Sequence, residues 1–177
     1  MTDERDPIRE AHAQWVRHGW TDAADGMAMV TSVVRVHQLL MERVEAVLRP
    51  LDLTFARYEV LRLLSFAQSG SPPGSMPMTR LGSLLQVHPT SVTSAVDRLV
   101  RQGYAERLRR ESDRRVVLAS LTDAGRDVVE QATAGLNAHV FEGPGLPAPD
   151  VLRLTDLLGQ VRAAAGDHVA GPVPASG

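Results

Sequence analysis

The chain contains no cysteine, no lysine and only seven aromatic side chains. Without cysteine it has no disulfide framework, no thiolate metal site and no switch based on thiol oxidation. All 19 basic residues are arginine, a compositional bias that carries no functional weight. No apolar run is long enough to span a bilayer and no signal peptide is recognisable, so a cytoplasmic protein is expected. The motifs of common enzymes are missing too: there is no G-x-S-x-G, no phosphate loop, no H-E-x-x-H and no cysteine nucleophile. The six histidines, His12, His18, His37, His88, His139 and His168, are scattered without metal-ligand spacing. These absences argue against an enzyme, and no catalytic residue, metal or cofactor is expected.

What is present is a chain of 177 residues, 44% hydrophobic, long enough to bury a core as one domain. Its net charge of −2 does not itself point to nucleic acid, but the distribution is uneven. Residues 98–115 hold seven arginines against Glu106, Glu111 and Asp113, a net +4, which leaves −6 on the remainder. A basic module on an acidic body orients toward a polyanion.

That module lies within Thr79–Thr122. Val92, Ala95, Val96, Leu99 and Val100 recur at the i, i+3, i+4, i+7, i+8 spacing of one helical stripe. The opposite face carries Thr90, Ser91, Thr93, Ser94, Arg98 and Arg101: small hydroxyl residues that permit close approach, and forked donors for phosphate or guanine. Pro89 suits the first helical position, and Gly103 the left-handed cap, with Tyr104 packing back on Leu99. A shorter helix over Met78–Gln86, with Thr79 as its cap, precedes it. Gly82 inside that helix predicts a close crossing, since glycine otherwise costs about 0.8 to 1 kcal/mol against alanine. After Gly103, Tyr104–Arg109 and Arg115–Leu121 read as two strands around a five-residue polar tip. The strands and tip form a wing carrying Arg107, Arg109, Arg110, Arg114 and Arg115. Arginine on such a ribbon can enter a minor groove beside the helix, and Asp113 is placed to restrain the Arg115 guanidinium.

LTFARYEVLRLL, then the run from MTRLG through VDRLVRQGY and the Asp113-Arg114-Arg115 wing to LTDAG, resembles the MarR family of winged helix-turn-helix regulators over roughly residues 50–130. The resemblance implies that Arg115 is the minor-groove residue, with Asp113 as its orienting partner. It also implies that helices at both ends of the chain form a dimer interface. Gln86 stands where a glycine is common in the turn, and His88 where a serine often precedes the proline. Members of the family that sense peroxide through cysteine have no counterpart here. A subset with an additional N-terminal helix binds anionic aromatic effectors such as urate, and Trp15 and Glu59 are similar to residues of that pattern.

The flanking segments read as helices. Ile8, Ala11 and Trp15 recur at helical spacing before Gly19-Trp20 breaks the run; Trp15 and Trp20 are expected as packing anchors or as a ligand platform. Met27, Val30, Val34, His37, Met41, Val44 and Leu48 form a heptad-like series over Asp25–Arg49, a long helix expected to be buried against more than one neighbour and ended by Pro50. His37 is read as a satisfied core residue, with a pocket role as the alternative. Asp52–Ala67 is a further helix capped by Thr54, where Arg57 and Arg62 are solvated or paired, or Arg57 joins Arg35 to hold a carboxylate. Residues 68–77 are a loop. Helices follow over Thr122–Val140 and Val151–Val169.

The fold expected is mainly α. Residues 1–50 are N-terminal dimerisation helices, 51–122 the winged helix-turn-helix region, 123–170 C-terminal dimerisation helices and 171–177 a disordered tail. The expected function is a sequence-specific regulator of double-stranded DNA, a homodimeric repressor on a pseudopalindrome, released by a small anionic or aromatic ligand. The DNA-binding residues expected are Thr90, Ser91, Thr93, Ser94, Arg98, Arg109, Arg110, Asp113, Arg114 and Arg115. Trp15, Trp20, Arg35, His37, Arg57 and Glu59 are the ligand candidates. The alternative is a winged helix that binds protein, against which the five wing arginines argue.

Overall fold

A computed structural model describes residues 6–110 and 113–167, without the side chains of Arg110 and Arg114. The tail 171–177 and His168 lie outside the described residues. Helix α1 (Pro7–Arg17) begins where Asp6 accepts the Ile8 N–H at 3.0 Å and Pro7 takes a position that needs no donor. Gly19, at φ +84°, turns the chain into α2 (Thr21–Leu48). That start precedes Asp25 because the first turn, Thr21–Ala24, carries no large apolar residue for a periodicity to register. Pro50 converts the end of α2 into a 3₁₀ turn over Arg49–Leu51, and Asp52 follows with φ +49°. Helix α3 (Phe55–Phe66) therefore starts after Thr54, which accepts the Arg57 N–H, and not at Asp52.

The segment read as a loop contains a strand, β1 (Ser75–Pro77), which pairs antiparallel with β3 (Asp113–Leu121); with β2 (Ala105–Arg110) on the other side of β3, the order is β1-β3-β2. Three residues ending in proline show no alternation. Only their pairing, Ser75 opposite Ser120 and Met76 opposite Ala119, makes them a strand. Helix α4 (Met78–Leu85) starts directly behind Pro77, so Thr79 lies inside the helix and does not cap it. Helix α5 (Pro89–Arg101) and β2 (Ala105–Arg110) complete the reading head. The wing strands run further than the alternation suggested: Arg110 pairs with Asp113, and the register shifts after Arg109, which faces Val117. Pairing thus already holds at Arg110 and Asp113, inside the five-residue tip expected, with the irregularity taken up in β3.

The Leu-Thr-Asp-Ala-Gly run that closes the wing has a physical account. Thr122 accepts the Gly125 N–H at 3.0 Å and donates its hydroxyl to the Gly103 carbonyl at 2.7 Å. This cap starts α6 (Asp123–Leu136), which continues as a π turn over Asn137–Phe141. A Cβ on Gly125 would overlap the Tyr104 carbonyl, so the helix sits on the base of the wing only because position 125 has no side chain. Gly82, by contrast, leaves room: its Cβ would lie 3.6 Å from Val92, an ordinary contact, so the close crossing expected there is not required.

The core joins the C-terminal end of α2 to α3, α4, α5, α6 and the sheet through Leu48, Val60, Leu61, Leu64, Leu81, Val92, Val96, Leu99, Ala119, Val129 and Leu136. Arg62 ties α3 to α6, donating to Glu130 at 2.9 Å, to the Val129 carbonyl and to Thr133. Most of α2 is outside this core. Only Ala24, Val44 and Leu48 are buried along it, while Met29, Val30, Val33, Val34, Val36 and Leu39 face solvent in the single chain. His37 is exposed too, not a core residue, because the apolar residues around it, Val33, Val34 and Val36, are themselves left uncovered by the described residues. Helix α7 (Ala148–Ala164) buries nothing and exposes Leu154, Leu157, Leu158 and Val161.

Candidate nucleic-acid interface

Val92, Val96 and Leu99 seat α5 on the core, which turns Thr90, Ser91, Thr93, Ser94, Arg98 and Arg101 outward; all six are exposed. Val100, assigned to the apolar stripe, is 37% exposed at the edge of that seat. A groove of about 690 Å³ runs between the start of α3 and this face, lined by Arg57, Thr90, Ser91, Ser94, Arg98 and Arg101. The two unusual turn residues both have partners. Gln86 adopts the left-handed conformation, φ +54°, that favours glycine, and its amide bonds Asp167 at 2.7 Å and Arg162 at 3.2 Å beyond and within α7. The His88 Nδ1 accepts the Thr90 N–H at 3.3 Å, performing the capping role of a serine hydroxyl.

The arginines divide into held and unheld groups. Arg98 donates to the Asp52 carboxylate at 2.9 Å, and the Gln102 amide donates to the same carboxylate at 2.9 Å and to the Asp52 carbonyl at 2.8 Å. Arg57 lies behind them, only 12% exposed, bonded to Thr54 at 3.2 Å and Gln102 at 3.0 Å, with Asp52 at 4.0 Å. The hydrogen bond from Arg98 is the main cause that holds the Asp52 carboxyl below its ordinary 3.8, aided by the charges of Arg98 and Arg57 and by Gln102 and opposed by desolvation. The junction of α2 and α3 thereby grips the C-terminal half of α5. Asp52 and Gln102 were not among the expected site residues. A turn aspartate and a surface glutamine have no spacing relation, and it is the left-handed turn at Asp52 that brings them together.

On the wing, Arg107 is also held, paired with Asp97 of α5 at 2.8 Å and donating to the Thr93 carbonyl at 3.5 Å. Arg109 and Arg115 are exposed and bond no side chain among the described residues. Asp113 accepts the Arg115 backbone N–H at 3.0 Å, so it shapes the chain at Arg115 through the backbone. Arg110 and Arg114 belong to β2 and β3, their side chains outside the described residues.

The ligand candidates are not gathered together. Trp15 and Trp20 meet edge to face at 5.3 Å where α1 turns into α2, with His18 stacked on Trp20 at 5.5 Å. Arg35 is exposed along α2 and donates to Gln38 at 3.3 Å, not to anything shared with Arg57. Glu59 is half-buried in α3, and burial raises its carboxyl above the ordinary 4.5. Of these six residues, only Arg57 lines the grooves around the start of α3.

The sequence pattern of the MarR family matches residues 53–117. The multiple antibiotic resistance protein MarR of Escherichia coli is 34% identical over 116 residues, 64% of this chain and 76% of that protein. The chain belongs to the MarR family. This is a family of transcriptional regulators with a winged-helix DNA-binding fold, not of enzymes. The HTH-type transcriptional regulator YhbI of Bacillus subtilis is 35% identical over 88 residues, and the chain spans only 53% of its length. Among solved structures, the MarR-family regulator Sco5413 of Streptomyces coelicolor superposes with a TM-score of 0.70 and 43% identity, over 81% of this chain and 99% of that one. A cysteine-to-serine mutant of E. coli MarR, solved with operator DNA, superposes with a TM-score of 0.67 and 29% identity, over 78% and 96% of the two chains. The MarR match covers α3, the helix-turn-helix and most of the wing, the elements that carry the arginine face. Among the described residues no helix is long and apolar enough to cross a membrane.

Proposed function

We propose that this MarR-family chain is a homodimeric, sequence-specific repressor that binds a pseudopalindromic operator in the cytoplasm and is released by a small anionic or aromatic ligand. The observation that carries the DNA reading is the exposed face of Thr90, Ser91, Thr93, Ser94 and Arg98 on α5, next to a wing whose Arg109 and Arg115 are exposed. On this reading α5 enters a major groove, and Arg115, with Arg110 and Arg114 beside it and Asp113 shaping the backbone, reaches the adjoining minor groove. Residues 51–122 serve as the reading head. The apolar faces of α2 and α7, within residues 1–50 and 123–170, meet a second copy, as their exposed valines and leucines favour. Two-fold symmetry then sets the α5 helices roughly 34 Å apart, one turn of duplex. A ligand acts by binding more tightly to a dimer whose helices have lost that spacing. Trp15, Trp20, Arg35, His37, Arg57 and Glu59 are its candidate contacts, with the Trp15–Trp20 pair the part already assembled.

The test is fluorescence anisotropy on labelled duplexes tiled across the DNA adjoining the chain's own gene, over a range of salt. One tile bound far above the others, by two chains per duplex, is the expected result. Equal and weak binding to every tile, abolished by salt, would reduce the arginine face to a generic polyanion contact and favour the reading of the winged helix as a protein-binding module.

A further inference from the structure

The carboxylate of Asp52 bonds a residue of the DNA-reading face, a place where an acidic group opposes a polyanion. Its backbone is fixed between the buried Leu48 and Leu53: the Asp52 N–H donates to the Arg49 carbonyl at 3.0 Å, and the Leu53 N–H to the Leu48 carbonyl at 3.2 Å. Behind it, the Gln102 amide nitrogen donates to the Asp52 carbonyl and carboxylate, the Gln102 amide oxygen accepts from Arg57, and Arg57 donates in turn to Thr54. The carboxylate is thus held from three elements at once. On it rests Arg98. Only Nη2 of that guanidinium is bonded, to Asp52 Oδ2 at 2.9 Å; Nε and Nη1 have no partner among the described residues, and the side chain is 49% exposed. A guanidinium carries five donors in a planar fork. Here one end of the fork is anchored, and the rest is left free at the groove that Thr90, Ser91 and Ser94 also line.

We propose that Asp52 is a positioning residue for DNA recognition: it fixes the Arg98 guanidinium at one place on the α5 face, where it serves DNA in one register and not as a mobile grip on any phosphate. This role rests on the sequence-specific binding proposed above. Two physical consequences separate it from simple support of the fold. Arg98 and Asp52 form a pair of no net charge, so together they add little to the counterion-driven attraction of a duplex of any sequence. The rotamers of a long side chain are also given up before DNA arrives, so a base edge or phosphate in the right place meets the free donors without that entropic cost. Asp52 therefore weakens binding to arbitrary sequence and strengthens it on the operator. The hydrogen bond from Arg98 keeps the Asp52 carboxyl below its ordinary value, so the restraint is in force at neutral pH.

The test compares the preferred tile with a scrambled duplex of the same length by fluorescence anisotropy, over a range of salt, for the full chain and its Asp52→Asn variant. Asparagine keeps the shape of the side chain and tolerates the left-handed turn, while the charge is lost. On the scrambled duplex Asp52→Asn should bind more tightly, with a salt slope steeper by about 0.9 per chain for the one phosphate that a freed Arg98 can reach. The ratio of operator to scrambled affinity should fall roughly two- to tenfold per chain, the worth of one long side chain immobilised in advance. In an Arg98→Gln background the same substitution should leave that ratio where it stands; a further fall there would overturn the proposal, since Asp52 would be acting through something other than Arg98. Equal strengthening on both duplexes would overturn it by reducing Asp52 to a repelling charge, and equal weakening on both by reducing it to support of the fold. A folding defect in Asp52→Asn, read by circular dichroism, leaves Gln102→Ala to decide. That variant keeps the carboxylate and removes the amide bonds that fix it, so the ratio should fall with no change in slope, and an unchanged ratio would overturn the proposal. A wild-type chain with no preferred tile would refute the operator reading. Asp52 is then judged on the scrambled duplex alone, where a steeper slope in Asp52→Asn upholds its restraint of Arg98 and an unchanged slope overturns it.

Discussion

One chemical change, glycine to alanine, is expected to have opposite effects at two positions of this chain. Within α4, Gly82→Ala adds a methyl group that meets only Val92 at 3.6 Å and the Val87 carbonyl at 3.9 Å, both ordinary contact distances. With no steric cost, what remains is the helix preference for alanine, about 0.8 to 1 kcal/mol. For a domain of this size each kcal/mol moves Tm by roughly 2 to 4 °C, so the melting temperature should rise by about that amount. In α6, Gly125→Ala puts the same methyl group into the Tyr104 carbonyl and within 2.9 Å of Leu121 Cδ1. A backbone oxygen at the base of the wing does not rotate away, so α6 must shift and the Thr122 cap on Gly103 and Gly125 must loosen. Overpacking of this kind costs about 1 to 3 kcal/mol, and a lost cap about 1 more. The expected fall in Tm is roughly 4 to 16 °C. Thermal denaturation followed by circular dichroism, at one fixed protein concentration because dimerisation contributes to Tm, reads both variants. A destabilised Gly82→Ala, or a Gly125→Ala that melts with the wild type, would refute the packing described here for the helix-turn-helix and for the wing base.

Arg115→Ala should weaken specific DNA binding by about 1 to 3 kcal/mol, roughly 5- to 150-fold; unchanged anisotropy on the preferred tile would remove Arg115 from the interface. Trp15→Ala should change ligand-induced release more than operator affinity, and equal loss of both would leave the Trp15–Trp20 pair as packing alone. The Asp52 carboxyl is depressed below 3.8, so its contribution to stability is present above that pH and lost as pH falls through the depressed value. Urea midpoints of wild type and Asp52→Asn should accordingly differ near pH 6 and converge in strong acid; a gap independent of pH would mean that the charge on Arg98 is not what Asp52 answers. Glu59 has the opposite sign: burial raises its carboxyl above 4.5, so its charged form opposes folding as pH rises through the raised value. Glu59→Gln should therefore stabilise the protein near pH 7 and make little difference below pH 4.5, and a destabilised variant at neutral pH would show that the carboxylate has a favourable partner.

Local sequence determined what local physics governs. The helical stripe Val92–Leu99, Pro89 at the start of α5, Gly103 at φ +78° after it and Thr122 before α6 are each read from residues within one or two turns, and each is found in the fold. The same holds for the arginine-rich wing, because charge along a ribbon is a property of composition. Tertiary structure decided the remainder. The strand β1 exists because β3 offers Ser75 and Met76 a partner more than forty residues away in the chain. The arginines separated into held and unheld only once the fold placed Asp52 beside Arg98 and Asp97 beside Arg107, since an ion pair depends on distances that spacing along the chain does not contain. Gly82 and Gly125, both inside helices, are distinguished by what stands across from them. The heptad series of α2 led to the expectation of burial, yet Val30, Val34 and His37 of that series are exposed, since no other described element is packed over the middle of the helix. Periodicity records the demand for burial, and only the arrangement of whole elements shows where that demand is met.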